Sequence, residues 1–509
     1  MGQLLLIAGA VTAVLISWLW SFLFAFAVRP YLRAKRLRDQ GVRGPINGSF
    51  WAGNMEEIQR MKMEARDMVL DINSHDHLAR ISPHFVRWAS LYGRVFMYCV
   101  GRKPWLFVGD PELVKQVLSN KFGLYRKMEV GAGFTALLGK GLVLTEGEAW
   151  ARHRRVVSPA FTIEKIKTMT RIMAECAQSM IENWREKEEV EVGVEFQELT
   201  ADVISHTAFG SSYAAGKEVF STQKELQTLI ILASFSKFDL PISKYLPTEA
   251  NRRRWGLEKK LRATLVSVIE KRMASSWSER QDLLGLMMEA CVNGEDGKTK
   301  LSMDEIIDEC KTFFFAGHET TSHLLTWTLF LLSTSQDWQR KLRQEVLLQC
   351  GRSIPHPDQL AKFKLMTAVL LEALRLYAPV GAIARTARED AELGPSLTVP
   401  KGTDIIIPIS VIHHSKEIWG PDAGEFNPGR FENGASKAAS HPGAMLAFST
   451  GPRGCVGQNF ALMEAKTVLS MILQSFSFSL SPGYKHMPTE RITLQPGEGM
   501  RVLLRPLEE

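Results

Sequence analysis

Between Gly2 and Val28 the chain carries no charged residue, and Leu4 to Val28 reads LLLIAGAVTAVLISWLWSFLFAFAV. As a helix that run spans about 38 Å at ~1.5 Å per residue, enough to cross a ~30 Å hydrocarbon layer with some tilt. Trp18, Trp20 and several phenylalanines lie towards its C-terminal half, and Arg29, Arg33, Lys35, Arg36 and Arg38 follow at once. The positive-inside rule then places everything downstream in the cytosol. The competing fate is a cleaved signal peptide, for which Ala25-Phe26-Ala27 offers a small-residue site. The run is too long for that, and no basic segment precedes it. The expectation is therefore a transmembrane anchor over 1–28, a basic hinge-like linker over 29–50 and a globular body over 51–509. On this topology the sequon Asn47-Gly48-Ser49 stays unglycosylated.

The body shows no internal repeat, low-complexity tract or linker, although 509 residues are enough for several ordinary domains. Helical periodicity runs through 111–120, 163–185, 198–209, 223–236, 252–275, 302–333, 335–350, 362–377 and 458–475. Short β-like runs are fewer: RVFMYCV, PWLFVG, SLTVP, TDIIIPIS and MRVLLRP. The fold class is mostly α with small β-sheets. The net charge of +7 comes from basic residues that mostly stand singly, with no dense basic run among aromatics. That argues against nucleic acid and leaves a solvated surface, a membrane face or an acidic protein as the partner. Six cysteines are scattered without paired spacing, as suits a reducing compartment.

Several short segments break local rules. In LSMDEIIDECKTFFFAGHETTSHLL, Ser302 and Glu305 form a capping-box signal for a long buried helix. Its middle, Ala316-Gly317-His318-Glu319-Thr320-Thr321, puts a costly glycine and a buried acid where leucines would be expected. Two readings compete: a packing glycine against another helix, or a local opening that admits a flat ligand beside a hydroxyl and a carboxyl able to pass protons. His318 reads as a satisfied histidine rather than a metal ligand. Glu372 and Arg375 share a helix face in EALR, which alone is no more than a common ion pair. Arg430 in GEFNPGRF reads as a loop arginine, and Trp150 with Arg154 as a stacking pair.

Cys455 sits in FSTGPRGCVG with Gly451, Gly454 and Gly457 around it and Arg453 two residues before. A free cysteine is often only a small buried hydrophobe. Here the glycines allow close approach of amides to the sulfur, and a helix beginning near Gly457 would favour its thiolate. Structural zinc would need three more ligands, which are not nearby. A macrocycle that supplies its own four nitrogens needs only this one, as haem does with a proximal thiolate.

Together these motifs resemble the cytochrome P-450 haem-thiolate monooxygenases. FSTGPRGCVG is similar to the haem loop through Phe448, Gly451, Arg453, Cys455 and Gly457, and AGHETT to the oxygen-activation motif. EALR, FNPGRF and WARHR complete the set in order, so that the likeness covers essentially the whole chain. The usual proline-rich hinge is reduced to Gly44-Pro45, and Glu319 stands for the commoner Asp. The resemblance implies a cytochrome P-450 fold behind the anchor, a monooxygenase catalytic domain over 51–509, and haem b as cofactor. Cys455 would be the axial iron ligand. Glu319 and Thr320 would deliver protons, with Ala316 and Gly317 making room for dioxygen. Trp150, Arg154, Arg385 and Arg453 would hold the haem propionates, and Glu372, Arg375 and Arg430 would form a structural triad. Electrons would come from NADPH through an endoplasmic-reticulum reductase, with cytochrome b5 as an optional further partner. Arg152 is a candidate contact for the acidic reductase.

More narrowly, LTADVISHTAFGSSYAAGKEVF, DECKTFFFAGHETT and GQNFALMEAKTVL resemble the plant group of cytokinin hydroxylases, gibberellin oxidases and in-chain fatty-acid hydroxylases. LSNKFGLYRK, HRRVVSPAF and ALRLYAPV look closest to the branch of sub-terminal fatty-acid hydroxylation and herbicide oxidation. Substrate contacts are expected at Phe134, Leu137, Leu138, Phe313, Phe314, Val380 and Ile383, all apolar. The alternatives are a plant-hormone hydroxylase and, in a different class, an O2-independent haem-thiolate isomerase or dehydratase. The latter would not need the Glu319–Thr320 pair. A non-catalytic haem binder would need it even less.

Overall fold

Ser302 and Glu305 form the reciprocal cap that their spacing predicts, with Ser302 N donating to Glu305 Oε2 at 2.8 Å. From that cap a single helix, Met303–Thr334, runs through the core of the protein. A computed structural model describes residues 2–46, 48–120, 123–210, 213–234, 245–274, 282–295 and 298–507. Within them, helices Val192–Phe209, Lys364–Leu376 and Gln458–Ser475 pack on the central one, and Ile163–Trp184 packs on the first and last of these. The central helix is unbroken at Ala316-Gly317, contrary to a local opening of its backbone. A Cβ on Gly317 would sit 2.8 Å from Ile204 Cδ1, so this glycine lets the Val192–Phe209 helix pack close.

The largest sheet has five strands, in the order Val95–Val100, Lys103–Val108, Asp404–Ile407, Ile383–Ala387 and Tyr125–Lys127. Only the contact between Lys103–Val108 and Asp404–Ile407 is parallel; the other pairs are antiparallel. Pairing of the last two strands sets Lys127 opposite Arg385. A second sheet joins Glu189–Glu191, Arg501–Pro506 and Phe476–Leu480. The five segments read as β-like each contribute a strand. Tyr125–Lys127 and Ile383–Ala387 carry no clear alternation and owe their conformation to their partners, whereas Phe476–Leu480 alternates Phe-Ser-Phe-Ser-Leu directly after a long helix.

At the N-terminus, helix Gly2–Leu23 continues through a wider π-type turn, Phe24–Val28, into helix Arg29–Asp39. The stretch Gly9–Asp39 contains an apolar window long enough to cross a membrane, and that window is not buried against the body. The linker expected over 29–50 is in its first half a helix docked on the body, where Ala34 and Leu37 pack against Met97. Its amphipathic spacing was masked by the dense arginines. The chain turns at Gly41 with φ +83°. Beyond it, Arg102 lies 4.1, 4.2 and 3.9 Å from the ring centres of Phe26, Phe50 and Trp51, tying the end of the apolar helix to the first hairpin. Asn47, the sequon residue, lies outside the described residues.

Candidate active site

The Cys455 loop is built by backbone hydrogen bonds. Cys455 N donates to Phe448 O at 2.9 Å, Gly454 N to Gly451 O at 3.0 Å, and Ser449 N to Leu446 O at 2.8 Å. Leu446 N donates to the buried His413 Nε2 at 2.9 Å, pinning the start of the loop. Gly451 has φ +75°, and a Cβ there would overlap Leu118 O, so both space and conformation require glycine. Gly457 stands at the N-cap of helix Gln458–Ser475. The Cys455 side chain opens onto an internal cavity of about 300 Å³. Burial pushes the thiol up, opposed by the Gly457 amide and the charge of Arg154. The helix terminus therefore does not by itself yield a thiolate here; a metal ion bound at the sulfur would supply the missing positive charge.

One rim of the cavity is cationic. Arg453 lies 4.6 Å over the Trp150 ring, donates to Thr145 O at 2.9 Å and pairs with Glu146 at 2.8 Å. Arg154 instead donates to Gly454 O at 3.1 Å, so the cation on Trp150 is Arg453 rather than the helix neighbour. Lys127 also lines the cavity. Burial, with the charges of Arg385 and Arg453, pulls its ammonium down to about 7. Burial and Arg453 bring Arg385 down to about 10. Arg385 is not on the cavity wall but reinforces its field from the strand behind Lys127. Glu146 is the carboxylate that stands among these cations and favours their charge. Crowded, desolvated cations of this kind are relieved by an anionic ligand.

Ala316, Gly317 and Thr320 of the central helix share the cavity with Cys455, as does Phe313. Thr320 Oγ1 donates to Ala316 O at 2.8 Å. Glu319 is absent from this wall. Its Oε1 accepts from Thr493 Oγ1 at 2.8 Å and Gln227 Nε2 at 3.0 Å, with His323 Nε2 at 3.4 Å, inside a second, more polar pocket also lined by His318. Burial works against its charge, but the contact and charge of His323, the charge of His318 and the Gln227 amide outweigh it and hold the carboxyl well below its usual range. His318 Nδ1 contacts Phe314 O at 2.6 Å and is a satisfied core histidine.

Glu372, Arg375 and Arg430 come together. Arg375 meets both Glu372 oxygens at 2.7 and 2.8 Å, and its remaining donors reach His413 O and Ala423 O. Arg430 Nε lies 3.6 Å from Glu372 and its Nη2 2.8 Å from Asp422. This knot is buried and fixes the segment that leads towards the thiol loop.

Of the expected substrate contacts, Phe313, Val380 and Ile383 line the cavity. Phe314 does not; it stacks on Phe209 at 4.0 Å, on the other side of the central helix. Leu137 is fully buried in the helix core, and Phe134 and Leu138 pack against that core rather than on the cavity wall. A heptad-blind reading of three consecutive phenylalanines cannot tell which one faces inward. Arg152 is engaged by Glu305 at 2.5 Å and by Lys300 O at 2.7 Å, which removes it as a free docking charge. Lys127 and Ile204 were not singled out from the sequence. Lys127 became visible only through the strand register that sets it against Arg385.

These features fit a flat macrocycle bearing carboxylates. One sulfur is available to a metal, small residues share the space with it, and a desolvated rim of Lys127, Arg154, Arg453 and, behind them, Arg385 has Glu146 as its carboxylate. No cluster of three or more His, Cys, Asp or Glu able to hold a metal ion occurs among the described residues.

Comparison with known proteins gives the same direction. The sequence model of the family described as Cytochrome P450 matches residues 70–502. Cytochrome P450 709B1 of Arabidopsis thaliana is 47% identical over 493 residues, covering 94% of both chains. Cytochrome P450 734A1 of the same plant is 39% identical over 495 residues, covering 94% of this chain and 92% of the relative. Secologanin synthase 1 of Catharanthus roseus is 39% identical over 519 residues, covering 99% and 98%.

Proposed function

This chain belongs to the cytochrome P450 family of haem-dependent monooxygenases, and within that family we propose a membrane-anchored catalyst that hydroxylates a lipophilic small molecule, most simply a fatty acid at a sub-terminal carbon or a xenobiotic. Haem supplies oxygen activation when bound, with electrons passed from NADPH by a reductase. The chain supplies the rest. Cys455 is the proposed axial ligand, and Arg154, Arg453, Lys127 and Trp150 with Arg385 behind them are the proposed propionate clasp. Glu372, Arg375 and Arg430 hold the loop's supporting segment.

The observation that carries the substrate reading is the cavity wall. Phe161, Ile204, Phe313, Leu374, Val380 and Ile383 present hydrocarbon to whatever lies near Cys455 and Thr320. Such a pocket excludes water and holds a chain or ring by burial rather than by charge. Thr320 Oγ1 is the hydroxyl placed on that wall to hold and pass a proton, which supports an oxygenase over an isomerase or dehydratase. The proposed location is the endoplasmic reticulum membrane, with the catalytic body cytosolic, by virtue of the apolar helix and the basic segment after it.

The test is a screen of microsomes carrying this protein and a plant reductase against medium-chain fatty acids, cytokinins, gibberellins and herbicides. We expect NADPH-dependent addition of one oxygen within a fatty-acid chain. Turnover confined to a hormone class would replace the substrate reading while keeping the enzyme class. Products made without O2 would remove the monooxygenase assignment.

A further inference from the structure

Behind the cavity lies a buried cluster that hydroxylation does not use. Trp327 and Tyr377 stack with ring centres 4.3 Å apart and planes 12° apart. Each stands three residues beyond a leucine of the cavity wall, Leu324 and Leu374 respectively. One helical turn therefore separates the wall from this aromatic pair. Tyr377 is fully buried, and its hydroxyl lies 3.1 Å from His75 Nδ1 and 3.1 Å from His486 Nε2. His486 Nδ1 lies 3.0 Å from the Tyr484 hydroxyl. Tyr484 is half-buried beside the exposed Pro482, Gly483 and Lys485. A continuous line of rings thus runs from the cavity wall to the surface.

A neutral imidazole has one donor and one acceptor and each phenol can both donate and accept, so the line Tyr484–His486–Tyr377–His75 closes with its donors running either way. In the tautomer with the proton on His486 Nε2, Tyr484 donates to His486 Nδ1, His486 Nε2 donates to the Tyr377 oxygen, and Tyr377 donates to His75 Nδ1. Burial keeps the imidazoles neutral, bringing His75 down to about 4 and His486 to about 3. Shape alone does not call for the hydroxyls, since phenylalanine would fill the same space without a buried polar group to satisfy. A phenol with a ready base loses an electron together with its proton, where a phenol without one must form a costly buried cation.

We propose that Trp327, Tyr377, His486 and Tyr484 form an oxidation relay that drains an oxidising equivalent from the haem site to the surface when no substrate is in reach. The proposal rests on the haem reading of the cavity. Haem, once bound and oxidised by peroxide, would supply the electron vacancy, and in the first step Tyr377 would give one electron towards it through the stacked Trp327. The Tyr377 proton moves to His75 Nδ1 and is released to solvent. In the second step Tyr484 gives an electron to the Tyr377 radical. The Nε2 proton of His486 returns to the Tyr377 oxygen while the Tyr484 proton moves to His486 Nδ1. The radical then stands on Tyr484, where a soluble thiol gives up its hydrogen atom and two thiyl radicals couple to a disulfide.

The experiment uses the full-length, haem-loaded protein without substrate, its haem content first read from the reduced CO spectrum. Hydrogen peroxide is added with a nitroso spin trap, the frozen sample is examined by electron paramagnetic resonance, and the trapped residue is located by peptide mapping. We expect a tyrosyl signal and an adduct on Tyr484, both suppressed by added glutathione. Tyr484→Phe should move the adduct inward to Tyr377 or Trp327, and Tyr377→Phe should lose the Tyr484 adduct while keeping the CO spectrum and melting temperature. A merely structural cluster would leave the adduct site unchanged in both variants, which overturns the relay. So does a haem-loaded wild type with no protein radical. Absence of a haem-thiolate CO spectrum in the wild type would instead overturn the haem reading beneath it, a result visible before any peroxide is added.

Discussion

Glu319 and Thr320 are neighbours in sequence yet face different compartments: Thr320 lines the cavity shared with Cys455, and Glu319 lies in a polar cage of Gln227, Thr493 and His323. The two residues are on adjacent faces of one helix, so the main-chain geometry makes this separation unavoidable. Thr320→Ala is expected to leave haem content unchanged and divert electrons to peroxide. The check is product formed per NADPH consumed, which should fall in the variant and stay unchanged if Thr320 has no part in proton transfer. Glu319→Gln keeps a side chain of the same shape in the cage and should slow product formation by about 10²-fold or more if the acid is a proton donor.

The clasp of cations makes a prediction of two signs. Lys127→Met removes a repelled, desolvated ammonium, so the haem-free protein should melt at a higher temperature. The same change removes a propionate partner, so the loaded protein should surrender haem to apomyoglobin faster. Arg385→Ala should behave alike in the second assay. Parallel loss of stability in both forms would show instead that Lys127 serves packing alone.

Glu372→Ala leaves Arg375 buried with its charge uncompensated. Removing one partner of such a pair costs about 3–5 kcal/mol. The variant should accumulate poorly and load little haem, whereas loss of turnover with full haem content would make Glu372 catalytic rather than structural.

Much of this was legible in the sequence because its signals are local. The Ser302–Glu305 cap, the Gly451 turn and the Glu372–Arg375 spacing each involve residues that meet within a turn or loop. What could not be read depends on partners far along the chain. Lys127 meets Arg385 only through strand pairing, and Glu319 meets Thr493 only once the Leu494–Pro496 strand folds back on the central helix. The assignment of Phe314 to the pocket failed because helix phase against the neighbour Phe209 decides which side faces inward. The expected hinge failed because Leu37 and Ala34 find a buried partner in Met97 that composition does not announce.

Acid should destabilise the fold through its histidines. Burial lowers His75 to about 4 and His84, His413 and His486 to about 3, below the ordinary value near 6.5. Between pH 6.5 and those values the unfolded chain binds more protons than the folded one, so stability falls as pH drops. Each such histidine costs about 1.4 kcal/mol per pH unit across that window. The melting temperature should therefore fall steeply from pH 6.5 to 4 and change little between pH 6.5 and 8. A flat profile across the acid range would contradict the buried, neutral state of the cluster.

The central claim is that Cys455 is the sulfur that binds haem iron. The direct measurement is the CO difference spectrum of the reduced, full-length protein, wild type beside Cys455→Ala. The account predicts the long-wavelength Soret band of a thiolate-ligated haem in the wild type and its complete loss in the variant. A variant that keeps that band would contradict it.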